Sequence, residues 1–304
     1  MYKRLILVLL GVFLLTTAIS ITGFTKSGLD LIPYEAELVF AVKKNNSKLN
    51  LIMKNKKFNR SINELKRFGI NVNNLIDLHG CAFKINQNSQ PSVALIANGR
   101  FNRDQIYKSI NSKLSSQLTS ETYSGLSYLK ANKENNYSVV VLGYQFLVVA
   151  QDGYIKMIID LYNGKGKSIK SNRLISKNLN TVREGNLFWF IAPLPDDAKK
   201  MMISEKENLK SLENVKMFSV TYQVKNDDVI RLNAICSNNS EANSVQSALK
   251  AAFDDIFAMG SIFIKDQSIL DISKTIEYTT NGNIATAKIT ITKETFNKIL
   301  KLIR

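Results

Sequence analysis

The chain has 304 residues, of which 45% are hydrophobic and 22% charged, as expected for a folded rather than a disordered protein. Its 41 lysines and arginines outnumber 25 aspartates and glutamates, and the net charge of +16 favours anionic partners such as lipid headgroups, cell-wall polymers or nucleic acid. The denser basic clusters, at 54–60 and 165–177, are not interleaved with aromatic residues. They lack the pattern of a nucleic-acid groove, and solvated faces explain them better than a weak contact surface for anions.

The first 25 residues have the pattern of a secretory signal or a membrane anchor. Lys3 and Arg4 form a short basic region, and residues 5–24 carry no charge. Such a helix would be about 30 Å long, enough to cross a bilayer, whereas Ala18 and Ser20 are the small residues that a signal peptidase requires. The polar residues in the second half of the segment favour cleavage, retention stays open, and in both cases the rest of the chain is exported. We therefore expect an extracytoplasmic protein (periplasmic, cell-surface or secreted), with residues 5–24 in the inner membrane if they are retained.

Residues 30–163 are predicted to form a first α+β repeat. Asn102 and Gln105 are placed as a capping box for a helix whose apolar stripe includes Ile106 and Ile110. The predicted elements, in chain order, are a strand at 37–42, a helix at 47–68, a hairpin of 81–85 with 93–97, the helix after Asn102, a hairpin of 126–130 with 138–150, and a helix at 154–162.

Residues 185–304 show the same order of elements and are predicted to form a second repeat. Asn281-Gly282 is a type I′ turn signal between two strands. The predicted elements are a strand at 187–192, a helix from Asp196 to about 212, a hairpin of 218–224 with 230–235, a helix around 245–257, a hairpin of 275–278 with 285–292, and a helix at 294–303.

Together these segments predict an α+β fold with two tandem repeats of strand, helix, hairpin, helix, hairpin, helix. Adjacent hairpins favour mostly antiparallel sheets with helices packed on one face. The predicted organisation is a signal or anchor at 1–25, a first repeat at 30–163, a linker segment at 164–184 and a second repeat at 185–304.

His79 is the only histidine in the chain, and any triad or cysteine–histidine pair would have to use it. Cys81 lies two residues later and would share a strand face with it. A nucleophilic pair also needs an orienting group and an oxyanion site, so His79 is predicted to be a polar residue entering a strand. Cys81 and Cys236 would form one disulfide or remain two buried thiols.

Other conspicuous motifs have structural explanations. Residues 164–168 look like the end of a phosphate-binding loop, but Leu161 stands where that motif needs glycine. Asp196-Asp197 suits a helix start and Asp254-Asp255 the polar side of a helix. Trp189, flanked by Phe188 and Phe190, is predicted to lie in a buried strand rather than on a binding surface. No catalytic, cofactor-binding or metal-binding residue is assigned, and no cofactor is expected.

Three short runs of residues resemble a family of exported bacterial proteins known only as a domain of unknown function. They are Ile32-Pro33 ahead of the strand start at 35–42, residues 98–101 before a helix, and residues 123–125 before a strand. The resemblance covers nearly all of 30–304 and implies a signal segment followed by tandem α+β repeats. It implies no catalytic residue, because that family has no established active site.

Two functions are compatible with the sequence. The first is a non-catalytic exported envelope protein of unknown activity that binds or scaffolds an envelope partner (a protein, a lipid or an anionic polymer) through the surface between its two repeats. It would also contact the membrane through an uncleaved N-terminal segment. The alternative is a secreted hydrolase or transferase using converging carboxylates, which predicts two carboxyl groups about 5 to 9.5 Å apart in a deep cleft.

Overall fold

The computed structural model of the chain describes residues 26–44, 56–83, 92–114, 117–132, 137–194, 207–224, 227–263 and 271–295. The chain divides into two compact units, unit 1 from Met1 to Asn178 and unit 2 from Leu179 to Arg304. The predicted signal or anchor at 1–25 lies outside the described residues. Within those ranges, no helix combines the length and the apolar character needed to span a membrane.

Unit 1 is built on an antiparallel sheet with the strand order β1-β2-β3-β7-β6-β5-β4 in its described part. Its strands are β1 Leu38–Lys43, β2 Leu75–Phe83, β3 Ser92–Gly99, β4 Leu118–Tyr123, β5 Leu126–Ala131, β6 Tyr137–Leu142 and β7 Phe146–Gln151. Successive side chains on each strand point to opposite faces of this sheet.

Two helices cover one face of the unit 1 sheet. Helix α1 spans Lys56–Arg67 and helix α2 spans Arg103–Leu114. Leu65 of α1 and Ile106 of α2 pack in one hydrophobic core with side chains such as Val139 of β6. The start of α2 is capped as the sequence predicts, because Asn102 Oδ1 accepts the Gln105 backbone N–H at 3.0 Å.

Helix α3, Asp152–Tyr162, covers the opposite face of the same sheet. The Tyr154 ring stacks on Phe83 of β2 with ring centroids 3.8 Å apart. Ile155, Ile158 and Ile159 are fully buried. Unit 1 therefore has helices on both faces of its sheet.

The predicted linker at 164–184 contains ordered secondary structure. Ile169–Ser171 is a 3₁₀ helix and helix α4 spans Arg173–Arg183. The segment is tied to the start of unit 1, where Lys170 Nζ lies 2.6 Å from Asp30 Oδ1. The Ile169 N–H also donates to the Ile32 carbonyl at 2.8 Å.

Unit 2 has an antiparallel sheet with the strand order β11-β12-β10-β9-β8 in its described part. Helix α5, Asn239–Phe263, packs Val245 and Leu249 against Ala234 and Ala285 of this sheet. The strands are β8 Phe188–Pro193, β9 Met217–Val224, β10 Asp228–Ile235, β11 Ile276–Asn281 and β12 Ile284–Ile291.

The hairpin predicted at Asn281-Gly282 forms, but its turn is displaced by one residue. Asn281 pairs with Ile284, so the two turn residues are Gly282 and Asn283. Gly282 has φ +56°, while Asn283 is not among the residues with positive φ. A positive φ at the first turn position alone is the pattern of type II′, not of the predicted type I′.

The predicted fold class is wrong. Seven described strands in unit 1 and five in unit 2, all paired antiparallel, carry the fold, instead of two copies of a helix-rich repeat. Residues 138–150, predicted to be one strand, fold back into β6 and β7 at Gly143, which has φ +60°. Strand β4 was missed because its side chains are half-buried or exposed and give no apolar alternation.

Several predicted segments lie outside the described residues and stay predictions. They are the first part of the helix at 47–68, the connection within the hairpin of 81–85 with 93–97, the helix start at Asp196, and the end of the helix at 294–303. Of the helix predicted from Asp196 to about 212, the described part is a 3₁₀ helix at Glu207–Asn214.

Candidate functional site

An apolar pocket of about 60 Å³ lies in unit 1 between helices α1 and α2 and the sheet. Its inner wall consists of buried side chains from both helices, the segment between α1 and β2, and two strands. These residues are Leu65, Ile70, Ile110, Val139 and Leu147. The inner wall therefore offers a ligand only hydrocarbon surface.

The outer wall of the pocket is only half-buried, so the pocket opens toward solvent. It is formed by Phe68, Leu114, Leu118, Tyr137 and Val149. Leu147 of the inner wall and Val149 of the outer wall are two residues apart on β7, so their side chains point to the same face of the sheet and both reach the pocket. An open cavity with apolar walls holds water poorly and suits an apolar ligand.

A cationic side chain lies next to the pocket. Lys113, in the last turn of α2, places its ammonium group 4.7 Å from the centre of the Phe68 ring. The same ammonium donates a hydrogen bond to the Arg67 carbonyl at the end of α1. Lys113 is exposed, so its charge stands beside an aromatic residue that lines the pocket.

A network of charged and polar side chains lies on the other face of the sheet, under α3. The Tyr128 hydroxyl is 2.7 Å from Glu121 Oε2 and 3.0 Å from Asp152 Oδ1. Lys130 lies 3.1 Å from Glu121 and 3.4 Å from Asp152, and Lys156 is 3.4 Å from Asp152. Two carboxylates thus converge on one tyrosine hydroxyl.

The network holds both carboxylates in the charged form. Hydrogen bonds from Tyr128 and Lys130 lower the pKa of Glu121. Burial alone would raise the pKa of Asp152, but the Tyr128 hydrogen bond and the charges of Lys156 and Lys130 outweigh it and lower that pKa. A general acid needs a raised pKa instead.

The hydrolase alternative required two carboxylates in a deep cleft. Glu121 and Asp152 converge, but neither lines the apolar pocket, which lies on the opposite face of the sheet. Tyr128, which both contact, is fully buried. The pair is therefore better explained as a structural ion-pair network than as an acid–base dyad.

His79 and Cys81 lie on one face of β2, as their spacing predicts, and both are buried. His79 Nδ1 is 3.2 Å from Asp77 Oδ1, in an orientation that makes no hydrogen bond. Gly28 lies directly against the imidazole, because a Cβ there would come within 2.3 Å of Nδ1. His79 is therefore enclosed within unit 1 rather than placed at the entrance to a strand.

Both cysteines are free thiols. Burial raises the pKa of Cys81, the opposite of the shift that activates a nucleophilic thiol. Burial, with a smaller effect of Glu241, raises the pKa of Cys236 to about 11. His79 and Cys81 thus share one face of β2, and the buried Cys81 thiol lacks the lowered pKa of a nucleophile.

The remaining sequence motifs have the structural roles expected of them or fall outside the described residues. Asp254 forms an i,i+4 ion pair with Lys250 at 2.6 Å on α5. Residues 164–168 follow helix α3, whereas a phosphate-binding loop follows a strand and precedes a helix. Trp189 is 1% exposed. Among the described residues, no group of three or more His, Cys, Asp or Glu side chains is placed to hold a metal ion.

Phe188 and Phe190, which flank Trp189, share the face of β8 opposite to it. Their ring centroids are 6.4 Å apart and both side chains are half-buried. The strand is therefore fully buried at Trp189 and Ile191, and the predicted burial of the whole strand holds for one of its faces.

Sequence reasoning missed the pocket because no local motif encodes it. Its walls come from segments as far apart as Leu65 and Val149. The available signal was an excess of apolar residues near strand and helix ends, such as Leu118 just after α2. That signal has no meaning until the pairing of the strands is known.

Residues 82–298 match the model of a family described as "Protein of unknown function (DUF3352)". The resemblance to a family of unknown function is confirmed at this level, over a shorter stretch than expected. Among curated proteins, none matches the chain. A solved structure, "Structure of crystal form I of TP0453", is similar at 12% sequence identity with a TM-score of 0.49, covering 91% of this chain and 97% of that one.

Proposed function

The chain belongs to the DUF3352 family of proteins of unknown function, and from this premise we propose that it is a non-catalytic, exported envelope protein. In this proposal, unit 1 binds the hydrocarbon tail of an anionic amphiphile. Export is proposed from the basic residues Lys3 and Arg4 followed by the uncharged segment 5–24. The binding activity is proposed from the apolar pocket between α1, α2 and the sheet.

The observation that carries the binding proposal is an apolar pocket that is open on one side. A volume of about 60 Å³ is room for roughly four water-sized groups, which matches the last few carbons of an alkyl chain. The rest of the alkyl chain of the ligand would lie along the half-buried side chains of Phe68, Leu118 and Tyr137. Burying alkyl groups there would contribute about 0.8 kcal/mol per methylene.

The preference for an anionic headgroup is proposed from Lys113. Its ammonium lies over the Phe68 ring, which lines the pocket, so a carboxylate or phosphate on the outer end of the alkyl chain would lie near a cation. The net charge of +16 favours the same sign of ligand. An exposed pair of this kind contributes little affinity, about 0.2–1 kcal/mol.

Titration with a fluorescent fatty acid, cis-parinaric acid, tests the pocket. Val149→Phe places a larger side chain into the outer wall, and we expect at least a tenfold loss of affinity because the added ring occupies the space of the alkyl chain. Val229→Phe is the matched control, since Val229 is a half-buried strand residue in unit 2. The pocket proposal would be wrong if folded Val149→Phe bound the fatty acid as tightly as Val229→Phe.

Lys113→Gln tests the headgroup preference separately. We expect a two- to fivefold loss of affinity for cis-parinaric acid at low salt, the size of an exposed ion pair, and no change for its uncharged methyl ester. An equal loss for acid and ester would show that Lys113 acts through packing on Phe68 and not through its charge.

A further inference from the structure

One end of unit 1 combines two hairpin tips and a loop, and we call it the hairpin end. The tips are Ser124-Gly125 between β4 and β5 and residues 143–145 between β6 and β7. The loop follows α3, and Asn163 Nδ2 in it donates to the Ser124 carbonyl at 3.5 Å. Gly143 approaches the Tyr162 hydroxyl so closely that a Cβ there would lie 2.8 Å from it.

Lys26, the first described residue of the chain, is fixed to this same end. The Gln145 amide donates to the Lys26 carbonyl at 2.9 Å. The Lys26 ammonium donates to the Tyr162 carbonyl at 2.5 Å and lies 5.3 Å from the centre of the Tyr162 ring. The uncharged segment 5–24 ends two residues before Lys26, so a retained anchor would leave the bilayer at the hairpin end.

The side chains of the hairpin end have the chemistry of a membrane interface. Tyr144, in the middle of the β6–β7 tip, is 80% exposed, and tyrosine is enriched where protein meets lipid headgroups. Arg100, whose neighbour Phe101 donates its N–H to the Tyr144 carbonyl, is exposed, as are Lys165 and Lys167.

Two acidic side chains in this region are already engaged. Asp160 Oδ2 accepts a hydrogen bond from the Tyr123 hydroxyl at 2.9 Å. Asp104, in the first turn of α2, is exposed but lies 3.2 Å from Arg103. The exposed charges of Arg100, Lys165 and Lys167 remain, and basic groups near a membrane surface are attracted by anionic lipids.

We propose that the hairpin end of unit 1 rests on an anionic bilayer surface, with Tyr144 at the headgroup level and with residues 5–24 retained as the anchor. The surface is distinct from the apolar pocket, so this proposal does not depend on the pocket having a ligand. It depends on the proposed export and on retention of the N-terminal segment.

Two matched variants of the full-length chain, Asn163→Cys and Asn132→Cys, measure which end faces the bilayer. Both asparagines are exposed. Asn163 lies in the hairpin end, whereas Asn132 follows β5 at the opposite end of the strands, about 20 Å away for a six-residue strand. Because both native cysteines are buried, a thiol-reactive fluorophore labels the new cysteine selectively.

Each labelled chain is reconstituted into vesicles of phosphatidylglycerol and phosphatidylcholine that contain a headgroup-nitroxide lipid. We expect quenching at position 163 to exceed that at position 132 at least threefold. Adding Tyr144→Ser to Asn163→Cys, or omitting phosphatidylglycerol, is expected to halve the quenching at 163.

Equal quenching at the two positions, or stronger quenching at 132, would overturn the proposal. So would N-terminal sequencing that finds the membrane-isolated chain starting after residue 24. Neither result would affect the fatty-acid titration, so a failure of this proposal and a failure of the pocket proposal are distinguishable.

Discussion

The Tyr128 hydroxyl is a single donor placed between two carboxylates. It carries one proton and so donates to Glu121 or to Asp152 at any moment, at 2.7 and 3.0 Å. The carboxylate that lacks this proton is still compensated, because Lys130 lies within 3.4 Å of both. Nothing in the sequence around Tyr128 indicates this role, since its partners lie on another strand and on α3.

Tyr128→Phe removes the shared donor and keeps the ring in the core. We expect a loss of about 1.5–3 kcal/mol in the free energy of unfolding at pH 7, the usual cost of losing a hydrogen bond to a charged group. Urea denaturation measures it. Tyr144→Phe is the matched control, because a side chain that is 80% exposed should lose almost nothing; equal losses in the two variants would contradict the assignment.

The same variant should show a defined pH dependence. The pKa values of Glu121 and Asp152 are both lowered in the folded chain, so their stabilisation is present above the unfolded values near 4 and is lost as the pH falls through the lower folded values. We expect the stability difference between wild type and Tyr128→Phe to shrink between pH 5 and pH 2. A constant difference across that range, measured by urea denaturation at each pH, would exclude a charge-dependent role.

At the scale of the elements, the apolar strands could be predicted from the sequence, and the polar edge strand β4 and helix α4 could not. Strands β1, β8 and β12 lie close to the apolar or alternating runs that predicted them. Strand β4 has largely exposed side chains, and α4 lies in a basic, asparagine-containing stretch that has the composition of a linker. Both depend on tertiary packing that composition does not report.

Gly99 shows how closely two elements of unit 1 approach each other. A Cβ at Gly99 would lie 2.5 Å from the backbone oxygen of Asn74, in the 3₁₀ helix before β2. A backbone atom has no alternative rotamer, so Gly99→Ala must shift β3 or that turn. We expect a destabilisation of about 1–3 kcal/mol, measured as a lower urea midpoint.

Gly153→Ala is the control for this substitution. Gly153 lies in α3 and a Cβ there would meet nothing within 4 Å, so alanine should stabilise the helix by up to about 1 kcal/mol. If both glycine variants shifted the midpoint in the same direction, the close contact at Asn74 would not be the cause.

At the scale of the whole molecule, the location of the protein is tested with a fused reporter enzyme and by cell fractionation. Export predicts that the chain, expressed in a bacterium with alkaline phosphatase fused after Arg304, gives an active phosphatase, because that enzyme requires an extracytoplasmic compartment. Deleting residues 5–15 should abolish the activity while leaving a soluble fusion in the cytosol. An intact full-length chain found soluble in the cytosol would refute export.

The candidate site is a property of the whole of unit 1, which is why the sequence did not indicate it. Leu65, Ile110 and Leu147 become neighbours only when two helices settle on one face of a sheet whose strands follow the order β1-β2-β3-β7-β6-β5-β4. The capping box at Asn102 could be predicted because its partners are three residues apart. Predictability thus falls as the sequence separation of the interacting groups rises.

Cys81 and Cys236 lie in different units, and each thiol is unpaired and buried. Neither unit therefore contains a covalent cross-link between its described strands and helices. Refolding after dilution from urea should therefore be complete in the presence of dithiothreitol. If the chain crosses a membrane, it needs no thiol oxidoreductase to fold on the far side.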